Sequence, residues 1–250
     1  MIGIILAGGK SLRFGGTGFK PKPVVQVNGI AMVLRAAAKL IDEGASRILV
    51  LTGQNHHMVR DALGMTDDKG FLATAPAVYT PFELRFSGDD TGSGGRLLAI
   101  NRSEMAGGAL LSYSDVFTDA PLGPLIDIVR NGTSTLALMT VSPRLPWGIV
   151  HSENGRVTRF NEKPQMPTIR TNAGFYACSP SILDYVHEER EMLEQEPMAR
   201  MIETKSVSSS HHDGEWIGLD SPKDVMEAEL GPKHLFRNSS NSIRLTKSIF

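Results

Sequence analysis

Two glycines and two cations near the amino terminus have the residue types needed to bind an anionic ligand. Gly8 and Gly9 follow the apolar run at residues 2–6 after a single alanine, and glycines in a loop after a strand let backbone N–H groups approach an anion closely. Arg13 and Lys22 add positive charge, and the prolines that flank Lys22 restrict the backbone around it. These residues predict a loop that binds a triphosphate, with an ordinary tight turn as the alternative.

Two aspartates far apart in the sequence are candidate ligands for a divalent cation. Asp115 follows the apolar run at residues 109–112, and Asp220 ends the string W-I-G-L-D that begins at Trp216. Mg²⁺ prefers oxygen ligands and keeps several waters, so one or two carboxylates are enough to hold it beside substrate phosphates. Either aspartate alone could equally be a turn residue or a helix cap, and only the fold can bring the two together.

Motif spacing and composition exclude several classes of protein. The glycines match neither G-x-G-x-x-G nor G-x-x-x-x-G-K-[ST], so dinucleotide binding and P-loop hydrolysis lose their main sequence support. The 250 residues carry 27 acidic and 26 basic side chains, with a formal net charge of −1, which gives no electrostatic reason to bind nucleic acid or an anionic membrane. No apolar run has the length of a membrane span, and the amino terminus lacks the order of a signal peptide. We therefore expect a cytoplasmic protein.

The elements that must position these residues follow from the hydrophobic pattern. Apolar runs alternate with amphipathic segments in the first half, which is typical of helices packed on a mostly parallel sheet. We predict an α/β fold, with a Rossmann-like mixed, mostly parallel sheet flanked by helices, over residues 1–230. Residues 231–250 are predicted to be a tail of uncertain structure, because Pro, Asn and Ser accumulate there without a period. The predicted strands are residues 2–6, 47–52, 83–86, 109–112, 135–141, 156–161 and 173–178, and the predicted helices are residues 30–43, 96–105, 121–131 and 187–205.

Five strings resemble, in the same order, motifs of the sugar-1-phosphate nucleotidyltransferases. The first is L-A-G-G at the end of the first strand, followed by Arg13 and by P-K-P around Lys22. The others are Y-S-D ending at Asp115, F-N-E-K-P at residues 160–164, T-N-A-G-F at residues 171–175, and W-I-G-L-D-S-P-K-D at residues 216–224. Together they span nearly all of residues 1–230. The resemblance implies the fold of the nucleotide-diphospho-sugar transferases and in-line transfer of a nucleotidyl group without a covalent intermediate.

The same resemblance implies a role for each matching residue. Arg13 would face the β and γ phosphates, Lys22 the reacting phosphates, and Lys163 the phosphate of the acceptor. Asp115 and Asp220 would hold Mg²⁺. The residues implied to bind the nucleotide are Leu6, Ala7, Gly8, Gly9, Gly94, Gly95 and Arg96, although an arginine at the start of a helix could equally be a surface residue. The residues implied to bind the acceptor are Glu162, Lys163, Asn172 and Gly174.

Two further strings resemble one branch of that family. S-G-D-D-T-G-S-G-G-R at residues 87–96 and E-Q-E-P at residues 194–197 are similar to strings of the glucose-1-phosphate cytidylyltransferases. The resemblance favours CTP as the nucleoside triphosphate and a phosphorylated sugar such as glucose 1-phosphate as the acceptor. Because the resembled enzymes are oligomers, we also expect a homo-oligomer.

The chain departs from the family pattern at two places. Ser11 and Leu12 replace the Gly and the Ser or Thr of G-G-x-G-[ST]-R, and L-P-W-G at residues 145–148 replaces the usual R-F-G. The form G-G-x-S-x-R-x-G also resembles the molybdenum-cofactor guanylyltransferases. The alternatives are therefore another phosphorylated or phosphonate acceptor, another nucleoside triphosphate, or a nucleotide-sensing module with weakened turnover.

Overall fold

The computed structural model describes residues 1–9, 20–74, 78–231, 235 and 243–246. The strands are β1 (Ile2–Leu6), β2 (Gln26–Val27), β3 (Ile30–Ala31), β4 (Ile48–Thr52), β5 (Lys69–Thr74), β6 (Val78–Phe86), β7 (Ala109–Tyr113), β8 (Val116–Thr118), β9 (Leu136–Val141), β10 (Ile149–Glu153), β11 (Arg156–Asn161), β12 (Thr171–Cys178), β13 (Val207–His212), β14 (Trp216–Gly218) and β15 (Arg244–Thr246). The α-helices are α1 (Met32–Asp42), α2 (His56–Ala62), α3 (Gly123–Arg130), α4 (Glu196–Glu203) and α5 (Pro222–Leu230). Short 3₁₀ turns lie at Lys22–Val24, Gly95–Ala99, Arg102–Met105 and Pro180–Tyr185.

Nine strands of the described residues form one sheet in the order β13-β9-β12-β7-β1-β4-β6-β5-β15. The central strands β7, β1, β4 and β6 pair in parallel, as do β9 and β13. β12 and β5 run antiparallel to both of their neighbours. The predicted α/β fold, with a mixed and mostly parallel sheet flanked by helices, is confirmed.

The central strands are apolar on both faces because both faces of the sheet are covered. Every residue of β1 and of β4 is buried. Ile5 packs in one apolar cluster with Val33 and Leu40 of α1, whereas Ile4 packs in a second cluster with Leu97. The two layers fix the sheet rigidly, so the loops that follow β1, β6 and β7 start from well-defined positions.

The predicted strands of the first half are present as β1, β4, β6 and β7, but the predicted helix at residues 96–105 is wrong. This segment forms two 3₁₀ turns. The break occurs because Asn101 is extended and begins a new turn, in which its backbone N–H donates to the Glu104 carboxylate at 3.1 Å. The sequence pattern did not predict α2, β5 or β13.

Only part of the predicted helical region at residues 187–205 is α-helical, namely α4. Before α4, the carbonyls of Glu189 and Glu191 accept hydrogen bonds from the backbone N–H groups of the glycine turn at residues 92–95. A helix would use these carbonyls internally, so the contact with the glycine turn replaces helix in this stretch.

Part of the segment whose structure was uncertain from the sequence, residues 231–250, pairs with the sheet. β15 pairs antiparallel with β5, with Leu245 opposite Leu72, and Ile243 is buried beside it. Cys178 lies in β12 and is fully buried, and burial raises the pKa of its thiol to about 12. Among the described residues, no helix has both the length and the apolar character that crossing a bilayer requires.

Candidate active site

A cavity of about 580 Å³ opens at the carboxyl ends of the parallel strands β1 and β7, where open α/β sheets bind their ligands. Its walls are the loop after β1, the loops after β6 and β7, and the 3₁₀ turn that begins at Lys22. The predicted site residues in its lining are Leu6, Ala7, Gly8, Gly9, Lys22, Arg96, Asp115 and Asp220.

A short antiparallel pairing brings the two aspartates together. β8 and β14 pair with Gly218 opposite Val116, and the pairing continues by one step, with the Leu219 N–H donating to the Asp115 carbonyl at 2.9 Å. Asp220 therefore emerges next to Asp115, although many residues separate them in the chain. The expected meeting of these aspartates is confirmed, whereas their role as metal ligands stays a prediction.

Lys22 joins the two aspartates. Its ammonium contacts Asp115 Oδ2 and lies 2.8 Å from Asp220 Oδ1. Burial is the largest influence and lowers the pKa of Lys22, but the two carboxylates together outweigh it, so its pKa is raised above the ordinary value. Pro21 and Pro23 hold this lysine at the start of a 3₁₀ turn. The result is a cation and two carboxylates converging on one point of the cavity.

Asp220 is positioned by the start of α5. Its backbone N–H donates to Asp224 Oδ2 at 2.9 Å, and the N–H of Ser221 donates to the same oxygen at 2.7 Å. Ser221, and not Asp220, caps the helix, by accepting the Asp224 N–H. The helix-cap alternative for Asp220 is therefore wrong, and its carboxylate is directed to Lys22.

The reason for glycine at position 8 differs from the one predicted. A Cβ at Gly8 would lie 1.9 Å from Cζ of Arg96, whereas a Cβ at Gly9 would meet nothing within 4 Å. The guanidinium of Arg96 thus occupies the space that we expected a bound anion to require. Arg96 itself is 4% exposed, which excludes the alternative that it is a surface residue.

Gly94 and Gly95 face away from the cavity lining. Their backbone N–H groups both donate to the Glu191 carbonyl, and a Cβ at Gly95 would lie 1.9 Å from the Glu189 carbonyl oxygen. Close packing against that segment explains these glycines. This geometry does not support the predicted contact of Gly94 and Gly95 with a nucleotide, and that contact remains untested.

Asn172 and Gly174 lie where β12 bulges beside the site. Asn172 Oδ1 accepts the Gly174 N–H at 2.9 Å. Gly174 has φ +78°, and a Cβ there would lie 2.7 Å from the ring of Tyr113, which lines the cavity. The indole N–H of Trp216 donates to the Ala173 carbonyl at 2.8 Å. The bulge is therefore tied to both aspartate segments, although its role in binding an acceptor is untested.

Glu162 and Lys163 lie outside the cavity lining, directly after β11. Both are exposed, and Lys163 has φ +44°, an uncommon backbone conformation for a residue other than glycine. A Cβ at Gly148 would lie 2.9 Å from Glu162 Oε2. The structure thus shows these two residues exposed beside Gly148 and outside the described lining, and their contact with an acceptor remains a prediction.

Arg13, Ser11 and Leu12 lie outside the described residues, so the predicted contact of Arg13 with phosphates is untested. Several residues of the lining were not predicted as site residues. Asp89, Asp90, Thr91, Gly92 and Ser93 belong to the string at residues 87–96 that resembles the cytidylyltransferases, whereas nothing in the sequence indicates Arg190 and Met192. These last two are brought in by the contact of residues 189–191 with the glycine turn.

Comparisons with known proteins identify the family. The sequence matches the family described as nucleotidyl transferase over residues 2–229. It is 24% identical to the glucose-1-phosphate cytidylyltransferase of Salmonella typhi, over 92% of this chain and 95% of that protein. It is 26% identical to the mannose-1-phosphate guanylyltransferase catalytic subunit beta of Drosophila pseudoobscura pseudoobscura, over 89% of this chain and 60% of that protein. The crystal structure of HddC from Yersinia pseudotuberculosis shares the fold, with a TM-score of 0.62 and 19% identity over 91% of this chain and 97% of that chain. The resemblance seen in the motifs is confirmed, and the chain belongs to the nucleotidyl transferase family.

Proposed function

We propose that the protein transfers CMP from CTP to a sugar 1-phosphate such as glucose 1-phosphate, which gives an NDP-sugar and pyrophosphate. The observation that carries the proposal is the convergence of Lys22, Asp115 and Asp220 in one cavity with the Gly8 loop. The name of the Salmonella relative supports this donor and this acceptor. In the reaction, an oxygen of the acceptor phosphate forms a bond to the α-phosphorus, and the bond from that phosphorus to the β-phosphate oxygen breaks.

The main obstacle to this reaction is electrostatic, because an anionic phosphate must approach an anionic triphosphate. Lys22 is well suited to reduce that repulsion. Its pKa is raised, so it stays charged at neutral pH, and the short turn between two prolines limits the positions its backbone can adopt. An ammonium in a partly buried cavity stabilises developing negative charge more strongly than one in bulk water.

The residues present fit a magnesium ion. In the part of the chain that the structure describes, no group of three or more His, Cys, Asp or Glu side chains is arranged for a metal, so the candidate ligands are the pair Asp115 and Asp220. Both direct an oxygen at the Lys22 ammonium, and this shared contact with one cation supports a cation site at the pair. Two carboxylates with substrate oxygens and water are a set that Mg²⁺ accepts. When bound, the ion would supply charge neutralisation of the phosphates and the departing pyrophosphate.

The acceptor is proposed to lie beside Tyr113, which lines the cavity near Asp115 and packs against Gly174 of the β12 bulge. Lys163 and Glu162 are exposed directly after β11. There a cation would meet the acceptor phosphate and a carboxylate would accept hydrogen bonds from sugar hydroxyls. This assignment follows the family motifs, and the exposure of both side chains leaves them accessible to a substrate.

A second candidate uses another nucleoside triphosphate, with guanosine favoured by the comparisons. The Drosophila relative is named a guanylyltransferase, and HddC is also solved with GMP-PN, with a TM-score of 0.63 over 91% of this chain. The replacement of the usual residues by Ser11 and Leu12 also keeps a sensing module and a phosphorylated or phosphonate acceptor other than a sugar as alternatives.

One experiment separates these candidates. Pyrophosphate release is measured with CTP, GTP, UTP, ATP and dTTP, each with Mg²⁺ and a panel of sugar 1-phosphates and other phosphorylated acceptors. We expect the highest kcat/KM with CTP and glucose 1-phosphate. Release with GTP and no release with CTP would move the assignment to the second candidate. A rise in Tm with a triphosphate but no release with any pair would indicate a sensing module.

Two wider properties are also proposed. We propose that the enzyme works in the cytoplasm as a homo-oligomer. Exposed apolar side chains support self-association, namely Ile202 at the end of α4, which is 60% exposed, and Phe160 of β11, which is also 60% exposed. The molar mass from light scattering during gel filtration tests the oligomeric state, and a mass of about 27.1 kDa, the mass of one chain, would contradict a homo-oligomer.

A further inference from the structure

The buried guanidinium of Arg96 joins separate strand ends under the cavity. One terminal nitrogen, Nη1, donates to the Thr52 carbonyl at 2.9 Å, to Ser87 Oγ at 2.8 Å and to the Gly88 carbonyl at 3.1 Å. Thr52 ends β4, and the other two acceptors directly follow β6. This nitrogen therefore connects the carboxyl ends of two neighbouring parallel strands.

The other terminal nitrogen reaches the loop that follows β1. Nη2 donates to the Gly8 carbonyl at 3.0 Å and to the Thr91 carbonyl at 2.9 Å. Gly8 and Thr91 both line the cavity. The Arg96 side chain thus sets the position of the Gly8 loop, which follows β1, relative to the end of β4 and the loop after β6.

Glycine residues make room for this guanidinium. A Cβ at Gly8 would lie 1.9 Å from Cζ of Arg96, and a Cβ at Gly53 would lie 2.8 Å from its Nη2. Neither glycine has a left-handed φ, so the backbone conformation permits an alanine at both positions. At Gly8 the three nearest atoms to a new Cβ all belong to the arginine side chain, whereas at Gly53 the Cβ would also lie 3.0 Å from the Gly8 carbonyl oxygen.

Arg96 lines the cavity, and its hydrogen bonds do not neutralise its charge. All five hydrogen bonds end on neutral oxygens, either backbone carbonyls or a hydroxyl. Burial, the largest influence, lowers its pKa, and the charge of Asp89 opposes that shift. A guanidinium stays charged under such a shift, so it contributes positive potential under a pocket proposed to hold a polyanion.

We propose that Arg96 is a positioning residue, which holds the Gly8 loop at the height where its backbone N–H groups meet the phosphates of the nucleotide. The identity of the ligand as a nucleotide rests on the proposed function, whereas the support of the loop by Arg96 does not. Arg96 acts through the loop, so its removal should affect the nucleotide far more than the acceptor.

A double-mutant cycle tests the support of the loop. Gly8→Ala in the wild type should lower Tm by about 5 °C or more, because the new Cβ displaces the guanidinium. In an Arg96→Ala background the same change should lower Tm by less than about 2 °C, because the obstructing atoms are gone. Arg96→Lys provides a second background, since lysine lacks the planar fork, if the alanine variant does not fold. Equal losses in all backgrounds would overturn the proposal.

Kinetics with CTP and glucose 1-phosphate test the consequence for the nucleotide. Arg96→Ala should lower kcat/KM for CTP by about 100-fold, since a displacement of about 1 Å in a positioning group has that effect. KM for glucose 1-phosphate should change by less than about threefold. Arg96→Lys should recover part of the loss, and millimolar guanidinium should recover part of it in Arg96→Ala. Unchanged kinetics for CTP, or an equal effect on both substrates, would contradict the positioning role.

Arg35 supplies the matched control. It is also buried, 3% exposed, and donates to the Val27 carbonyl at 3.0 and 2.7 Å, but it lies away from the cavity lining. Arg35→Ala should lower Tm and leave KM for CTP within about twofold. Absence of pyrophosphate release with every triphosphate would contradict the proposed function alone, because the Tm cycle between Gly8 and Arg96 needs no substrate.

Discussion

Lys22 and Lys39 are both partly buried lysines that contact carboxylates. They differ in the number of carboxylates that would be left without a cation if the lysine were removed. The Lys22 side chain is 17% exposed and contacts Asp115 and Asp220. In Lys22→Met, two carboxylates face each other without the ammonium, and because the Asp220 side chain is 66% exposed, the free energy of unfolding should fall by only about 1 kcal/mol. Millimolar Mg²⁺ should restore part of this loss, because a divalent cation can take the place of the ammonium. Urea unfolding with and without MgCl₂ measures both effects.

Lys39→Met is the matched control for that experiment. The Lys39 side chain is 14% exposed and pairs with Glu43 at 2.7 Å, outside the cavity lining. We expect a loss of stability in this variant and no restoration by Mg²⁺, since a single carboxylate is a weak magnesium site. Equal restoration of stability by Mg²⁺ in both variants would show that Mg²⁺ acts elsewhere. An unchanged stability of Lys22→Met would contradict the proposed repulsion between Asp115 and Asp220.

Asp115→Asn separates a role in turnover from a role in binding. The substitution keeps the shape of the side chain and removes its charge, so a group that supports a charged transition state should lose kcat and leave ground-state binding nearly intact. We expect kcat for pyrophosphate release to fall by about 100-fold or more and KM for glucose 1-phosphate to change by less than about threefold. Asp119→Asn is the control, because Asp119 follows the other end of β8 and pairs with His212 at 2.6 Å. An unchanged kcat in Asp115→Asn would exclude Asp115 from the site.

Residue types were predictable from the sequence, but their partners were not. The convergence of Lys22, Asp115 and Asp220 was implied by family motifs, and no spacing rule could give it, because it depends on the pairing of two three-residue strands. Gly8 shows a different limit. The sequence predicted that this loop needs glycine, but the expected reason was close approach of a bound anion. The observed neighbour is Arg96, which is far along the chain, and only the folded backbone reveals the contact.

At the scale of elements, an ion-pair network joins β6 to the 3₁₀ turn at Arg102–Met105. Arg85 pairs with Glu104 at 2.8 Å, and Arg47 pairs with the same carboxylate at 3.1 Å. The hydrogen bond from Arg85 is the main reason that the pKa of Glu104 is lowered to about 2. A lowered pKa means that Glu104 stabilises the fold above its ordinary pKa near 4.5 and that this contribution is lost as the pH falls towards 2.

Glu104→Gln should therefore be less stable than wild type at pH 7 by about 2 kcal/mol, the typical size of a charged hydrogen bond. The difference should persist down to about pH 5 and disappear as the pH approaches 2. Urea unfolding across this range measures it. Glu203→Gln, at the exposed end of α4, should stay close to wild type at each pH. A difference for Glu104→Gln that does not depend on pH would mean that packing, and not charge, stabilises this junction.

The elements that the sequence predicted are those whose local pattern and tertiary role agree. β1 and β4 are continuous apolar runs that the sheet buries on both faces. The segments at residues 96–105 and 187–205 have helical composition, but a cap at Asn101 and backbone hydrogen bonds to the glycine turn compete with the helix. β13 was missed because V-S-S-S-H-H has a weak strand pattern and is held in place by its pairing with β9.

At the scale of the whole molecule, the carboxyl-terminal segment completes the sheet. β15 covers the edge of β5, and the apolar residues Leu235 and Ile243 beyond α5 are buried. These residues and β15 lie outside the lining of the cavity. The last residues are thus expected to support stability, whereas the site depends on β1, β7 and the segment that ends at Asp220.

Truncation after Gly231 tests this division. The loss of several buried apolar side chains should lower Tm by about 10 °C, and the exposed edge of β5 should promote aggregation during heating. Below the new Tm, KM for CTP should stay within about twofold of the full chain, because the cavity lining is intact. Arg244→Ala, an exposed change within β15, should leave Tm within about 2 °C. A truncated chain that is as stable as the full one would show that β15 pairs too weakly to support the sheet, whereas a loss of CTP binding at low temperature would show that the tail reaches the site.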